Sequence, residues 1–584
     1  MRRVFVLLAV AVLIATLVPI ASAQEDEGKV VLRVGDTQNW SSLNPTAGYL
    51  FADYEVWNMQ YATLTNKAAD DFEVIPGLAE SWEISDDGLT VTYTLREGLT
   101  WSDGEPLTSE DVVWNITTAN EQLWSNYYSA TQNLTATAID DRTVEITSSV
   151  PDPKLPAMDF YLLPKHIWEP VAVDDVAVTE YDGLDGVGSG PFVLSEYRDQ
   201  QSATLVANPS FYGWEGEDPP VDEVILQYFA NPDAMVAALV QGELDAINSV
   251  PIASVPSLEQ NPDIQVVVGE QGSFGEIAIN GGEAEGQPHP ALADLAVRQA
   301  ISHGVDREAI VDDLWAGLFD PIDSMPAAAD VRKWTPEIPA DQQLRYDPER
   351  ANQLLDEGGY LDTDGDGIRE MPDGTNPIIL RHAINTDGDL AQSIAELFQG
   401  WMADIGIGVE FTSADADQLF ELIVAGDYDT FYWGWGVFVD PDYHLVNFTE
   451  SEMGNYNDAN WVDPTYEELY QQQKVETDED ARVDIVHEML TIFHNAAVYI
   501  VMPEPEIQAY RTDTFEGWLR QPADIGPVIF NQTGVSYPAV RPVGGESADS
   551  GGVNWLLIGG IAAVVVVGGV LIVTRRKGTA DERE

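Results

Sequence analysis

The sequence predicts an α/β protein of several structural units held outside a membrane, and three observations predict it. Strand-type and helix-type segments alternate along most of the 584 residues, the pattern of an α/β architecture. Residues 1–23 read as a secretory signal: Arg2 and Arg3, an apolar run over 4–20, then Ala21-Ser22-Ala23 before an acidic stretch. Residues 555–574 form a charge-free run followed by Arg575-Arg576-Lys577. At about 1.5 Å per residue that run spans a bilayer core as a C-terminal transmembrane helix, and the basic residues put the tail, 575–584, in the cytoplasm.

Acidic residues outnumber basic ones 99 to 27, a formal charge of −72. Such a field repels nucleic acid and anionic headgroups and excludes both as partners. A solvated acidic surface suited to high salt explains it more simply than steering of cationic ligands. The chain has no cysteine, so neither disulfides nor a lipid-modified cysteine can serve it, and stability must come from core burial. About 515 residues remain for the ectodomain, enough for two to four structural units. Residues 541–554, which include GGESADSGG, read as a flexible stalk reaching about 20 Å on average.

Taken in order, 30–34 is a short strand, and Trp40-Ser41-Ser42-Leu43-Asn44-Pro45 is a loop before the aromatic segment 49–61. Segments 81–84 and 90–95 alternate as strands around the hairpin signal Asp86-Asp87-Gly88. A second turn, Ser102-Asp103-Gly104-Glu105-Pro106, leads to Thr108-Ser109-Glu110-Asp111, where a hydroxyl followed by acids caps a helix beginning near Asp111. Alternation returns at 143–148 and is broken by Pro151, Pro153 and Pro156; a helix or turn follows at 164–168. The glycine-rich GVGSGPF, 186–192, leads into a strand at 192–197 and its partner 202–207. A strand rather than a helix follows those glycines, so the loop is not a phosphate cradle. A helix begins at Asp233, 242–246 leads into a buried strand, and the apolar spacing of 291–318 predicts one long helical stretch. Asp347-Pro348 opens a helix that ends at Gly358-Gly359. The last elements are an aromatic strand at 431–435, an amphipathic helix over 479–499 and a short strand at 499–502.

The stretch 76–115, PGLAESWEISDDGLTVTYTLREGLTWSDGEPLTSEDVVWN, closely resembles the signature region of the extracytoplasmic solute-binding proteins (family 5) of peptide/nickel ABC importers, the oligopeptide- and dipeptide-binding type. The later segments follow in the family's order, so the resemblance covers almost the whole ectodomain. It implies a three-lobed fold like the type II periplasmic binding proteins, with the ligand cleft between lobes I and III. Lobe I would combine 24–67, 185–272 and 499–540; lobe II would be 68–184 and lobe III 273–498. A monomeric receptor is expected, its ectodomain extracellular or periplasmic and, from the charge-free run 555–574 rather than from the resemblance, single-pass in the cell membrane. It would close on peptides or another small solute and deliver them to ABC permease subunits, with no bond broken and no cofactor for function. An oligosaccharide receptor of the same family is the alternative, since the 16 tryptophans could stack on sugar rings. A secreted, membrane-anchored hydrolase would need a nucleophile and base that are not found: Ser189 lacks the G-x-S-x-G context, and His487 and His494 lack H-E-x-x-H spacing. A sensory ectodomain is disfavoured by the short cytoplasmic tail.

The ligand residues are expected in 433–443, where aromatics stand beside carboxylates, the composition of a cleft that stacks on a ligand and pairs with a polar group. They are Trp433, Trp435, Phe438, Asp440, Asp442 and Tyr443, joined by Asn280 and Tyr49. Against this, Phe431, Trp433 and Trp435 could simply alternate across a strand with one face in the core. In peptide binders of the family an aspartate shortly before the D-P dipeptide pairs with the peptide α-amine. Aligning Asp440-Pro441 with that dipeptide puts Val437 in its place, so either Asp440 or Asp442 takes the amine or the ligand has no free amino terminus. Asp440, Asp442 and His444 also alternate, a weak pattern for a nickel-type metal. A second site is a calcium loop: Asp362, Asp364, Asp366, Gly367 and Ile368 at positions 1, 3, 5, 6 and 7, with Glu370 at 9 and Asp373 at 12. It departs from the pattern in lacking a bidentate glutamate at the last position, and an ordinary acidic turn would read the same way. Any calcium would be structural. Sequons at Asn39, Asn115, Asn133, Asn447 and Asn531 permit glycosylation.

Overall fold

The computed structural model describes residues 28–544 apart from 159, 173–177, 179, 271–272, 283–287, 387–389, 437, 505 and 530–532. The expected signal peptide, most of the stalk, the membrane span and the tail lie outside the described residues. No helix among the described residues is long and apolar enough to cross a membrane.

Three sheets organise the chain. A seven-stranded sheet runs, in spatial order, Ile264–Gly269, Glu506–Arg511, Ala246–Ile247, Val31–Asp36, Glu223–Tyr228, Ser202–Ala207 and Phe192–Arg198. A five-stranded sheet runs Gly408–Ala414, Ile379–Asn385, Thr430–Trp435, Phe274–Ile279 and Tyr499–Pro503. A four-stranded antiparallel sheet, Ala79–Ile84, Thr90–Leu95, Thr143–Ser148 and Leu134–Asp140, carries the helix Ser109–Gln122. That helix starts on a reciprocal cap: the Thr108 backbone N–H donates to Asp111 Oδ2 at 2.9 Å, satisfying a donor that would otherwise be orphaned at the first turn. The glycines of 186–192 are there for packing. A Cβ on Gly188 or Gly190 would lie 2.1 or 2.2 Å from the carbonyl oxygens of Gln60 or Met59, at the end of the helix Phe51–Gln60.

The chain passes twice between the seven- and five-stranded sheets, from Gly269 to Phe274 and from Pro503 to Glu506. The strand Tyr499–Pro503, grouped by sequence with the segments of the seven-stranded sheet, pairs instead with Phe274–Ile279. Its two faces explain this: Tyr499 and Val501 enter one apolar core while Ile500 and Met502 enter another. In the five-stranded sheet, sandwiched between two apolar layers, both faces are buried. The long helical stretch expected over 291–318 is also divided, into a 3-10 turn Pro290–Ala293 and helices Leu295–Gly304 and Arg307–Leu314. Asp306 restarts the backbone, its carboxylate accepting from the Ala309 N–H at 2.9 Å. The apolar spacing survives the break because both helices bury the same core, with Val297, Ile301, Ile310 and Val311 in one cluster. At about 1.5–3 kcal/mol per fully buried apolar side chain, such cores hold the fold without disulfides.

Candidate functional site

The site is built where the loop leaving Thr430–Trp435 meets the other two sheets. Gly436 lets that loop run close to the helix Phe51–Gln60: the Phe51 ring comes within 3.2 Å of where a Cβ on Gly436 would sit. Phe438 packs on Tyr443 at 5.1 Å and on His444 at 5.5 Å between ring centroids. The Phe438 carbonyl accepts from the Ala329 N–H at 2.7 Å. Trp435 stands edge-on to His444, and its Nε1 donates to the Tyr499 hydroxyl at 3.2 Å. Trp435 and Phe438 are buried, and Trp433 is half-buried against the same core.

The two aspartates expected to take a ligand amine are already neutralised by the protein. Arg482 grips Asp440 with both ends of its guanidinium, at 2.7 and 2.8 Å. Burial alone would raise the Asp440 carboxyl; Arg482, with help from Lys154, instead holds it down at about 2. Asp442 accepts from Lys154 Nζ at 2.7 Å and from Gln473 Nε2 at 2.9 Å. Against the desolvation that would lower its pKa, Asp442, Asp440 and Asp152 keep Lys154 firmly charged. Lys154 follows the four-stranded sheet in sequence, so its bond to Asp442 ties two units together, and it also lies 5.7 Å from the Tyr443 ring centroid. Arg332 makes a second tie, donating to the carbonyls of Asp70 and Ala523 at 3.0 and 3.3 Å.

The remaining expected residues lie apart. Asn280 is a structural peg: fully buried, it donates to the carbonyls of Gly426 and Tyr428 at 3.2 Å and accepts from the Gly282 N–H at 3.0 Å. Tyr49 is 62% exposed, just before the helix that carries Phe51. Val437 lies outside the described residues. Asp440, Asp442 and His444 gather no metal site, because the carboxylates face Arg482 and Lys154 while His444 Nδ1 bonds the Ala327 carbonyl at 3.1 Å. In the expected calcium loop, Asp362, Asp364, Asp366 and Glu370 each offer a carboxylate oxygen, all within 4.8 Å of one another, as a hard cation requires. Asp373 is turned away, accepting from the Thr375 hydroxyl at 2.7 Å; Ile368 donates its N–H to Asp366 at 2.8 Å. Among the sequons, Asn115 is buried and bonded to the Leu163 carbonyl at 2.9 Å, which removes it as a glycan acceptor.

Sequence reasoning missed Lys154, Arg482 and Gln473, and it missed the acids Glu276, Asp458, Glu504 and Glu506 that stand around the second crossing. One signal was readable: Glu276 is the lone charge in the apolar strand FGEIAI.

Relatives carry the same chain order. The family model for bacterial extracellular solute-binding proteins, family 5 (middle part), matches residues 73–456. A Brucella ovis protein provisionally described as an ABC transporter peptide-binding protein is 29% identical over 376 residues, 64% of this chain and 65% of the relative's length. The oligopeptide-binding protein OppA of Bacillus subtilis is 25% identical over 541 residues, 88% of this chain and 93% of that protein. The structure of the oligopeptide-binding protein AppA of Bacillus subtilis in complex with a nonapeptide aligns with a TM-score of 0.68 at 23% identity, covering 88% of this chain and 99% of that one. With two thirds of its length matched by that model, the chain belongs to family 5 of the bacterial extracellular solute-binding proteins.

Proposed function

We propose that the protein is the substrate-binding component of an ABC importer, taking peptides by closure of two units about the 269–274 and 503–506 crossings. The observation that carries this reading is the double crossing between the seven- and five-stranded sheets, with the aromatic and acidic residues of 433–443 and 504–506 beside it. Paired crossings form a hinge: a few backbone torsions absorb the closure while both sheets stay rigid. The seven-stranded sheet corresponds to lobe I, the four-stranded sheet to lobe II and the five-stranded sheet, including Tyr499–Pro503, to lobe III. The ligand lies between lobes I and III, and no bond is broken. Similarity to OppA and to AppA, which holds a nonapeptide, favours peptides over oligosaccharides. So does the burial of Trp435 and Phe438, whose faces are committed to the core rather than open to a sugar ring.

Residues 555–574 anchor the receptor beside its permease through the stalk, and calcium at Asp362, Asp364, Asp366 and Glu370 stabilises the loop without touching the ligand. Titration of the purified protein with defined peptide pools, followed by tryptophan fluorescence, tests the reading. A saturable change with peptide recovered intact supports it. Absence of any saturable change, or cleavage of the peptide, contradicts it.

A further inference from the structure

The strand Phe274–Ile279 is apolar except at Glu276, and its pairing fixes where that side chain lies. Trp433 stands opposite Glu276 on one neighbouring strand and Val501 on the other. Residues paired across a sheet share its face, so Glu276 lies on the face that also carries Phe274 and its partner Trp435. It is fully buried, and among the described residues neither carboxylate oxygen has a hydrogen-bond partner.

Other acids gather around it. Asp458 is held beneath the same aromatics, accepting from the Tyr499 hydroxyl, which in turn accepts from Trp435 Nε1. Glu504, an exposed residue in the second crossing, has its carboxylate against Gly434, on the opposite face of the sheet from Glu276, and acts on it only through its charge. Desolvation, then Asp458 and Glu504, push the Glu276 carboxyl well above the usual range. Glu506 and Asp36 continue the acidic line into the seven-stranded sheet, Glu506 lifted to about 8 and Asp36 to about 6, mainly by burial. Among the described residues, no cation stands among the groups acting on Asp36, Glu276, Asp458 or Glu504. Asp440 and Asp442, on the loop that follows the neighbouring strand, each have one.

An unpaired buried carboxylate is costly unless a proton or a cation neutralises it. A carboxylate with both oxygens free matches the planar fork of a guanidinium, and an adjacent indole favours a cation over its face. We infer that the cleft selects peptides carrying a basic side chain, whose guanidinium or ammonium pairs with Glu276 beside Trp433, with Asp458 and Glu504 adding attraction. The inference rests on the peptide reading above and names the charge of its substrate.

The test uses purified full-length protein and tripeptides of alanine with arginine placed at each position in turn, against the same peptides with neutral, nearly isosteric citrulline. The best arginine peptide binds at least about 10-fold tighter than its citrulline partner, about 1.4 kcal/mol. That ratio collapses towards one in E276Q and persists in E410Q, a change at an exposed acid on the far edge strand. E504Q, at a residue in solvent contact, narrows the ratio and serves where E276Q fails to fold. Binding of the arginine peptide releases protons, read by calorimetry in two buffers, because the cation ionises a carboxyl that burial, Asp458 and Glu504 hold well above its usual range and beside which Tyr499 stands. E276Q removes that release. Equal affinity for arginine and citrulline peptides overturns the inference and leaves the peptide reading standing. Spermidine binding that depends on Glu276, with no peptide bound, supports the cation site and overturns the peptide reading. No binding of any probe overturns both.

Discussion

Replacing Arg482 with methionine removes the cation at the centre of the 440–442 network. In the folded protein Arg482 is 5% exposed and Asp440 14%. The guanidinium makes two bonds to Asp440, bonds both the carbonyl and the side-chain oxygen of Gln473, and lies 5.5 Å from the Trp334 ring centroid. Asp440 is held at about 2 rather than 3.8, mainly through Arg482 acting against burial. At about 1.4 kcal/mol per pH unit that depression corresponds to about 2.5 kcal/mol for Asp440 alone. Leaving the partner charge buried and unpaired brings the expected loss to about 3–5 kcal/mol. Urea unfolding at pH 7, followed by circular dichroism, measures it. D440N in the R482M background recovers more than half, because the stranded charge is gone. The pH dependence has a fixed sign. A carboxyl with depressed folded pKa contributes stability that is complete above the unfolded value near 3.8 and is lost as pH falls through about 2. The gap between wild type and R482M is therefore full near pH 7 and shrinks as pH falls, first as the stranded, burial-raised Asp440 carboxyl of R482M takes up a proton and then as the wild-type pair is lost through about 2. A loss under about 1 kcal/mol would refute the structural role of the pair. So would a D440N variant of unchanged stability whose peptide affinity falls about 100-fold, since Asp440 would then be a ligand group.

Three further outcomes follow from the same geometry. K154M removes the tie from the four-stranded unit to Asp442 and, by loosening the closed form, weakens ligand binding by about 5- to 30-fold, mostly in the off-rate measured by stopped flow; an unchanged off-rate contradicts it. Calcium at a hundredfold excess over its Kd stabilises the protein by about 2.7 kcal/mol, seen as a higher thermal midpoint that chelation or D364N abolishes; a midpoint indifferent to chelation counts against the loop. Glu506, lifted to about 8 by burial with Asp36 and Glu504 adding, contributes stability that is full below about pH 4.5 and is lost as pH rises through 8. E506Q should flatten the unliganded protein's urea midpoint between pH 6 and 9, and an unaltered slope contradicts the assignment.

Local rules carried much of the fold into the sequence. The Thr108–Asp111 cap, the hairpin around Gly88 and the strand–turn–strand after GVGSGPF each depend on residues within a few positions of one another, and each lies where the pattern predicts. The break at Asp306 was hidden because an aspartate inside a helical period reads equally well as a surface residue. The site was legible only in part. The aromatic and acidic content of 433–443 marked the right loop, but which groups were free depended on Lys154, 288 residues from Asp442, and on Arg482 from a helix across the core. No local pattern encodes such pairings. Asn280 reads as a polar binding group at the end of a strand, yet three backbone groups of nearby turns consume its hydrogen bonds. Glu276 was the reverse case: one charge in an apolar strand signals either a buried pair or a site, and only the absence of a cation around it among the described residues separates the two.

The central claim is that this protein captures a peptide and releases it unchanged. Native mass spectrometry of the protein purified from its own host reads that directly, by ejecting whatever small molecule remains bound and weighing it. The account predicts short peptides in stoichiometric amount, intact after prolonged incubation and enriched in lysine or arginine. Cello- or malto-oligosaccharide masses, or peptides shortened on incubation, would contradict it.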